Sequence, residues 1–523
     1  MTTPTTSNGS ALAIASPWHE RHWRWLAGGI VLFTVVMGLS LVSSVWLAGA
    51  DPVKYADLAR SLARGEGYLF NNGPEAKHPP GFPVLLVPLF WFTSAPLVVA
   101  RVMIVLTAGA TLYLAGVILR RVLGAGVSLA ALVCVAVSVH GWWSTQALVS
   151  EYPYAILQNV ALLMLLRLTT STTPRKRDAL LFGLLTGTAI LFRPAAVALI
   201  AAGAYTILHR RLTGGLRTVQ AAGLAGLAVG LPVASLAAWR VYVAIFQIHT
   251  AAMPENVHIL LRGYASSPGA LIVETVKNML SQGGGLVFGD FHPTLYPSVE
   301  LFLWLALLLV WVPVPVALFV RGLWRAEPIW AFLCAYLSMI ALWPLASGAS
   351  ARLCAPVTPF VVGLLLSSWR WLGGKLLPRH GAAAVALLIV SAVLAGQIAM
   401  GVPLWRKMHV NEDTWARRLS DLERIRDEFH PDSSGAWAHL NVRAAIYVFD
   451  MPNMMMEFSW SKDPEKWARE LDDYRPDYIV VPTTPRQKRN TELFIKTLTE
   501  VRPTARCVAE LEAISLYHIP PAG

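Results

Sequence analysis

The sequence predicts an α-helical polytopic membrane protein of about 11 transmembrane helices, followed by a small C-terminal α/β soluble domain. Three observations predict it. Of 523 residues, 55% are hydrophobic and only 14% charged; soluble domains carry about 25% charged residues, so lipid is the solvent for most of this chain. Apolar runs, several of them shorter than the roughly 20 residues of a straight crossing, follow one another up to residue 402. Lys and Arg fall in short clusters between alternate runs, which is the pattern that orients membrane proteins. The net charge of +12 is therefore a membrane signal rather than a nucleic-acid footprint.

Residues 1–24 form a polar N-terminal tail, the first 15 or so expected to be disordered. Arg21, Arg24, an apolar run and Ala48-Gly49-Ala50 imitate a cleavable signal peptide. The run from Trp25 to Leu47 is far longer than the roughly 7–15 residues of a signal core, so it reads as an uncleaved first span. The spans then follow as 25–47, 96–119, 127–143, 147–168, 179–192, 194–208, 219–246, 299–320, 328–346, 353–369 and 381–402. With the N-terminus in the cytoplasm, Arg120/Arg121, Arg175/Lys176/Arg177, Arg210/Arg211/Arg217, Arg321/Arg325 and Arg370/Lys375/Arg379 all face inward. The segment Phe82–Phe92 is too short to span and follows Pro79-Pro80. It is expected to lie in the outer interface with Trp91 near the headgroups.

The bulk then lies outside: loop 48–95, loop 247–298 and residues 403–523. "NEDTWARRLSDLERIRDEFH" has helical period and alternating charge, "DYIVVPTT" reads as a short buried strand and "NTELFIKTLTEV" as an amphipathic helix. The four cysteines show no metal spacing, and a Cys354–Cys507 bridge stays open because both could face outward. The short inner loops contain neither G-x-G-x-x-G nor G-x-x-x-x-G-K-[ST], so no nucleotide-binding unit is expected there.

Ionisable residues near lipid are costly to keep and are functional candidates. They collect at the outer ends of spans: Asp51 with Tyr55 and Asp57 after span 1, His78 before the Pro-Pro, Arg101, Glu151, Arg193 and Arg352. Each has a plainer reading. Asp51 could cap a helix over 52–64, Glu151 could pair with Arg101 or Arg193, and Arg193-Pro194 could be only a turn. Trp142 and Trp143 serve either as an interface belt or as a sugar platform. Asp290, His292, His249 and His258 offer a further metal or acceptor site or are ordinary loop. Gly183/Gly187 and Gly226/Gly230 read as close helix packing.

The stretch "ADPVKYADLARSLARGEGYLFNNGPEAKHPPGFPVLL" resembles the first external loop of the type C glycosyltransferases, the lipid-phosphate-sugar-dependent membrane enzymes that include protein O-mannosyltransferases and aminoarabinose transferases. The shared pattern is an Asp after the first span, a Tyr four residues on, G-x-G-Y and P-P-G-F-P. "SEYPYAILQNVALLMLL", "LFRPAAVAL" and "ARLCAPVTPFVVGLL" are similar to later segments, and the architectural likeness covers 1–402. The resemblance implies transfer of a sugar from a polyprenyl-phosphate donor to an acceptor hydroxyl on a glycan, lipid or protein, on the extracytoplasmic side of the plasma (inner) membrane. It implies Asp51 as general base, with Tyr55, His78, Glu151, Arg193 and Arg352 binding substrate or phosphate. Many members carry two adjacent acids in this loop; here Pro52 follows Asp51, which leaves a divalent metal ion open. The competing expectation is a transporter or flippase of lipid-linked or small substrates, which calls for ionisable groups near the bilayer midplane and paired broken helices. A scaffold displaying the outer domain is a third, and it gives the first-loop cluster no purpose.

Overall fold

The computed structural model describes residues 17–42, 50–71, 73–75, 78–171, 173–245, 313–325, 327–342, 354–376, 391, 416–429, 437–440, 444–449, 456–458, 464–483 and 488–520. Among the described residues, three helices are long and apolar enough to cross a bilayer: Glu20–Ser40, Pro96–Leu123 and Thr218–Ile245. Helix α1 (Pro17–Ser40) packs on α4 (Pro96–Leu123) and α5 (Ala125–Ala136). Trp23 is buried between them and donates to Ser128 Oγ at 3.3 Å. Trp25, Leu32, Phe33 and Val36 point outward, as lipid-facing residues do. At 28 residues, α4 is about 42 Å long and reaches from one membrane face to the other.

Between α1 and α4 lie α2 (Ala50–Ala63), the two-stranded ribbon β1 (Leu69–Phe70) and β2 (Gly73–Pro74), and α3 (Gly81–Phe92). The 12 residues of α3 give a rise of about 18 Å, too short to span. Trp91 donates its indole N–H to the Ala63 carbonyl at 2.9 Å, tying α3 to the end of α2.

The expected span 127–143 is broken. Helix α5 stops at Ala136 and a separate helix, α6 (Val139–Ser144), follows. Trp142 donates back to the Ala136 carbonyl at 2.8 Å across the break, and its ring packs edge-on against Phe33. That indole is engaged in packing. Next come α7 (Glu151–Thr170), α8 (Lys176–Phe192) and α9 (Val197–Leu212). Thr218–Ala225 (α10), a π-helical turn at Gly226–Gly230 and Leu231–Ile245 (α11) run on as one helix. Gly183 lets α8 meet this turn, since a Cβ there would lie 2.1 Å from the Leu227 carbonyl oxygen. Beyond it are α12 (Pro313–Trp324), α13 (Pro328–Leu342) and α14 (Thr358–Leu376). Helix α12 carries the end of the expected span 299–320 on to Trp324, α14 runs past the expected span 353–369 to Leu376, and residues 299–312 and almost all of 381–402 lie outside the described residues.

After a helix over 416–429 (α15), the chain forms a five-stranded sheet. Its order is β4 (Met456–Phe458), β3 (Trp437–Leu440), β5 (Tyr478–Pro482), β7 (Ile514–His518), β6 (Arg506–Glu510). The first three strands are parallel and the last two join antiparallel. Alternation along β5 assigns its faces. Ile479 and Val481 pack with Trp467, Phe494 and Leu498 of α17 (Pro464–Tyr474) and α18 (Lys488–Val501). Val480 points the other way and, with Trp437, Ala445 and Phe449 of β3 and α16 (Ala444–Phe449), enters a core shared with the membrane part. That core holds Val53, Tyr55, Ala56 and Ala59 of α2, Phe82 and Leu86 of α3, and Leu422 and Ile425 of α15. Helix α2 is therefore clamped between the membrane helices and the sheet. All four cysteines are free thiols, so Cys354 and Cys507 are not bridged.

Candidate active site

Asp51, Lys54 and Tyr55 stand at i, i+3 and i+4 and so share one face of α2. Asp51 lies in the first helical turn, where the helix dipole favours a carboxylate. Pro52 fits the same turn because its backbone needs no hydrogen-bond donor there. The loop that meets this face is held by its own bonds. Asn71, in the left-handed region at φ 51°, donates its N–H to Asp57 Oδ2 at 2.8 Å. Asp57 also pairs with Arg60, so it serves the loop's shape. Tyr68 donates to the His78 carbonyl at 2.8 Å, and Glu75 N–H donates to the Tyr68 carbonyl at 3.2 Å.

The loop delivers His78 between two carboxylates. Its Nε2 is 3.4 Å from Asp51 Oδ1 and its Nδ1 is 3.4 Å from Glu75 Oε1. Glu75 also accepts the His78 backbone N–H at 3.2 Å, and its other oxygen lies 3.5 Å from Lys54 Nζ. Exposure is graded along the row: the Asp51 side chain is 28% exposed, His78 10% and Glu75 5%. Burial pushes the His78 imidazole down, but the hydrogen bonds its ring donates to Asp51 and Glu75 and their negative charges outweigh it, and its pKa lies above the ordinary value. Burial, then the Asp51 charge, hold the Tyr55 phenol far above its usual pKa, so it stays protonated.

Tyr55 joins this row to a second cluster. Its ring packs edge-on against His78 and Phe82, and its hydroxyl shares a 3.3 Å hydrogen bond with Ser150 Oγ. Arg193 donates to the same Ser150 Oγ at 3.2 Å and pairs with Glu151 Oε1 at 2.7 Å. Pro194 explains where Arg193 points. A residue before proline is pushed out of the helical region, so α8 ends at Phe192 and Arg193 is extended at φ −152°, ψ 131°. Of the two partners the sequence offered Glu151, Arg193 lies at ion-pair distance; Arg101 is buried on α4.

The fold thus brings Asp51, Tyr55, His78, Glu151 and Arg193 together at one end of α4, α7 and α8. Arg352, Asp290, His292, His249 and His258 lie outside the described residues, as does the Trp143 side chain. Three residues of the site had no sequence argument. Lys54 could have been found by its i+3 spacing from Asp51, Glu75 by its i−3 spacing from His78, and Ser150 by its place just before Glu151. Among the described residues, no three His, Cys, Asp or Glu side chains are grouped to hold a metal ion. The two carboxylates lie against opposite nitrogens of one imidazole and do not converge on a common point. The described donor set does not fit a metal site.

No protein-family model matches the sequence, and no curated protein does either. Solved structures do match in shape. The aminoarabinose transferase ArnT from Cupriavidus metallidurans, bound to undecaprenyl phosphate, aligns over 94% of this chain and 98% of its own, at TM-score 0.56 and 14% identity. The oligosaccharyltransferase AglB from Archaeoglobus fulgidus, in complex with an inhibitory peptide and a dolichol-phosphate, aligns over 93% of this chain and 73% of its own, at TM-score 0.54 and 12% identity. The chain shares its fold with these two proteins. ArnT in the apo state matches it at TM-score 0.54, again at 14% identity, over 95% of this chain and 98% of that one. The apolar helices of membrane-crossing length among the described residues, within this fold, are those of a multi-pass membrane protein.

Proposed function

We propose that the protein is an integral membrane glycosyltransferase that moves a sugar from a polyprenyl-phosphate donor to an acceptor hydroxyl, with Asp51 as general base. The observation that carries this is the row Glu75–His78–Asp51, whose single solvent-facing end is a carboxylate at the start of α2. The fold supports the donor class, since ArnT was solved with undecaprenyl phosphate and AglB with dolichol-phosphate. The positive-inside pattern supports an extracytoplasmic site with residues 403–523 on the same side.

In the reaction the acceptor oxygen attacks the anomeric carbon as the bond from that carbon to the phosphate oxygen breaks. The acceptor proton passes to Asp51, and polyprenyl phosphate leaves. His78, held by Glu75, orients the Asp51 carboxylate and keeps its charge beside the acceptor. Lys54 is partly exposed on the same face of α2 and supplies a cation toward the leaving phosphate. Arg193 has Glu151 and Ser150 at its Nη1 and, through Ser150 and Tyr55, fixes α2 against α7 and α8. Purified protein in liposomes with polyprenyl-phosphate sugars tests the assignment. Asp51→Asn is expected to lose about 10²–10⁴ in transfer rate; equal rates in wild type and variant would remove Asp51 as the base.

A further inference from the structure

The opposite membrane face carries a second polar constellation. Where α4 ends and α5 begins, a cavity of about 280 Å³ opens toward the ends of α12, α13 and α14. Arg321 and Arg325 of α12 and Arg370 of α14 line it, together with Glu327, Trp330 and Trp371. Its remaining wall is mostly apolar, from Val122, Leu123, Val127 and Leu364, with the Ser367 hydroxyl among them. The active-site cluster sits at the other end of the same α4, about 42 Å away along a helix of 28 residues, so the two do not share residues.

The cavity is built, not a gap between loose ends. The Trp330 indole lies against the backbone of Gly322, where a Cβ would come within 1.9 Å of Trp330 Cδ1. Trp330 donates its N–H to Glu327 Oε2 at 2.6 Å, and Glu327 N–H donates to the Gly322 carbonyl at 3.1 Å. These bonds fix the α12–α13 turn and engage one oxygen of the Glu327 carboxylate. Among the described residues the lining carries three guanidiniums, Arg321, Arg325 and Arg370, and one carboxylate. Arg321 and Arg325 are exposed at the mouth, and Trp324 and Trp371 are exposed beside it, as indoles are at headgroup depth.

We infer that this cavity binds the phosphodiester headgroup of an anionic phospholipid. Planar guanidiniums match phosphate oxygens in pairs, and basic pockets between membrane helices suit such headgroups. The apolar wall favours a lipid over a soluble phosphate, because a free anion gains nothing from it while a glycerol and the first methylenes do. The same face offers an internal comparison. A wider cavity of about 550 Å³ lies against α1, with Arg21, Arg24 and Trp25. Its Arg120 is already paired with Glu20 at 2.9 Å, and its described lining holds no aliphatic side chain. It stands for the ordinary basic belt.

Native mass spectrometry of the delipidated full chain tests the inference with phosphatidylglycerol, phosphatidylcholine of the same acyl chains, and inorganic phosphate. Phosphatidylglycerol is expected to bind at one equivalent, with phosphatidylcholine and inorganic phosphate about tenfold weaker or more. Arg325→Gln/Arg370→Gln should weaken phosphatidylglycerol binding by about tenfold or more, while Arg21→Gln/Arg24→Gln leaves it unchanged. Equal loss in both variants, no loss in the first, or equal binding of phosphatidylcholine or inorganic phosphate would each overturn the proposal. Should the first variant not purify as a monodisperse species, Arg325→Glu decides in its place, since that side chain is exposed and its reversal leaves the packing untouched.

Discussion

The Glu151–Arg193 pair allows structure and chemistry to be separated by one set of variants. The charges are 2.7 Å apart, with side chains only 1% and 12% exposed. At an effective dielectric of about 20, their attraction is roughly 6 kcal/mol, set against the cost of removing both ions from water. Arg193→Met deletes the cation and leaves a carboxylate enclosed by protein. The expected cost is about 3–5 kcal/mol, a shift of roughly 10²–10⁴ in the folded-to-unfolded ratio. Glu151→Leu/Arg193→Met removes both charges and should recover most of that loss, because the site behind them is lined by apolar and aromatic groups such as Tyr154 and Tyr336. Denaturant titration in mixed micelles measures the stability change, and transfer from a polyprenyl-phosphate sugar measures the chemistry. If the pair only braces the helices, the double variant recovers both. If Arg193 also holds donor phosphate, the double variant folds but stays slow. An Arg193→Met protein as stable as wild type would refute the claim that Glu151 depends on this cation.

Three further outcomes follow from the geometry. His78 has a raised pKa, so its imidazolium contributes stability that is complete below the ordinary value of about 6.5 and is lost as pH rises through the higher folded value. Thermal unfolding followed from pH 6 upward should show this loss in wild type, and His78→Gln should flatten it. Ile425→Ala opens a hole in the core shared by α15, the sheet and α2, costing about 2–5 kcal/mol. It should lower sugar transfer along with thermal stability, whereas a site independent of the C-terminal part would keep wild-type transfer in the folded fraction. Gly183→Ala forces α8 away from the Leu227 carbonyl and should cost about 1–3 kcal/mol by overpacking, read as a lower midpoint in the same denaturant titration.

Much of the membrane architecture was legible because hydropathy reports the solvent a segment needs. It does not report backbone geometry, so the break between α5 and α6 at Val137-Ser138 passed as one continuous span. Proline did carry geometric information: Pro194 ended α8 and fixed how Arg193 leaves it. In the site, Asp51 and His78 were marked by their place in the first loop. Glu75 and Lys54 were not, because an acid in a loop and a lysine on a helix look alike whether solvated or buried. Only the ribbon β1–β2 and the Tyr68 bond to His78 turn Glu75 inward. The docking of the sheet on α2 left no trace in any local pattern, since each contributing residue reads as ordinary core.

That docking also orders events during synthesis. Helix α2 leaves the ribosome early, yet Trp437, Val480 and Leu516, which complete its packing, are translated more than 370 residues after Ala59. At about 5–20 residues per second the interval is roughly twenty seconds to a minute and a half. For that interval the flank of α2 that these residues cover stays open, so the first loop reaches its final packing only once the last strands of the sheet have been made.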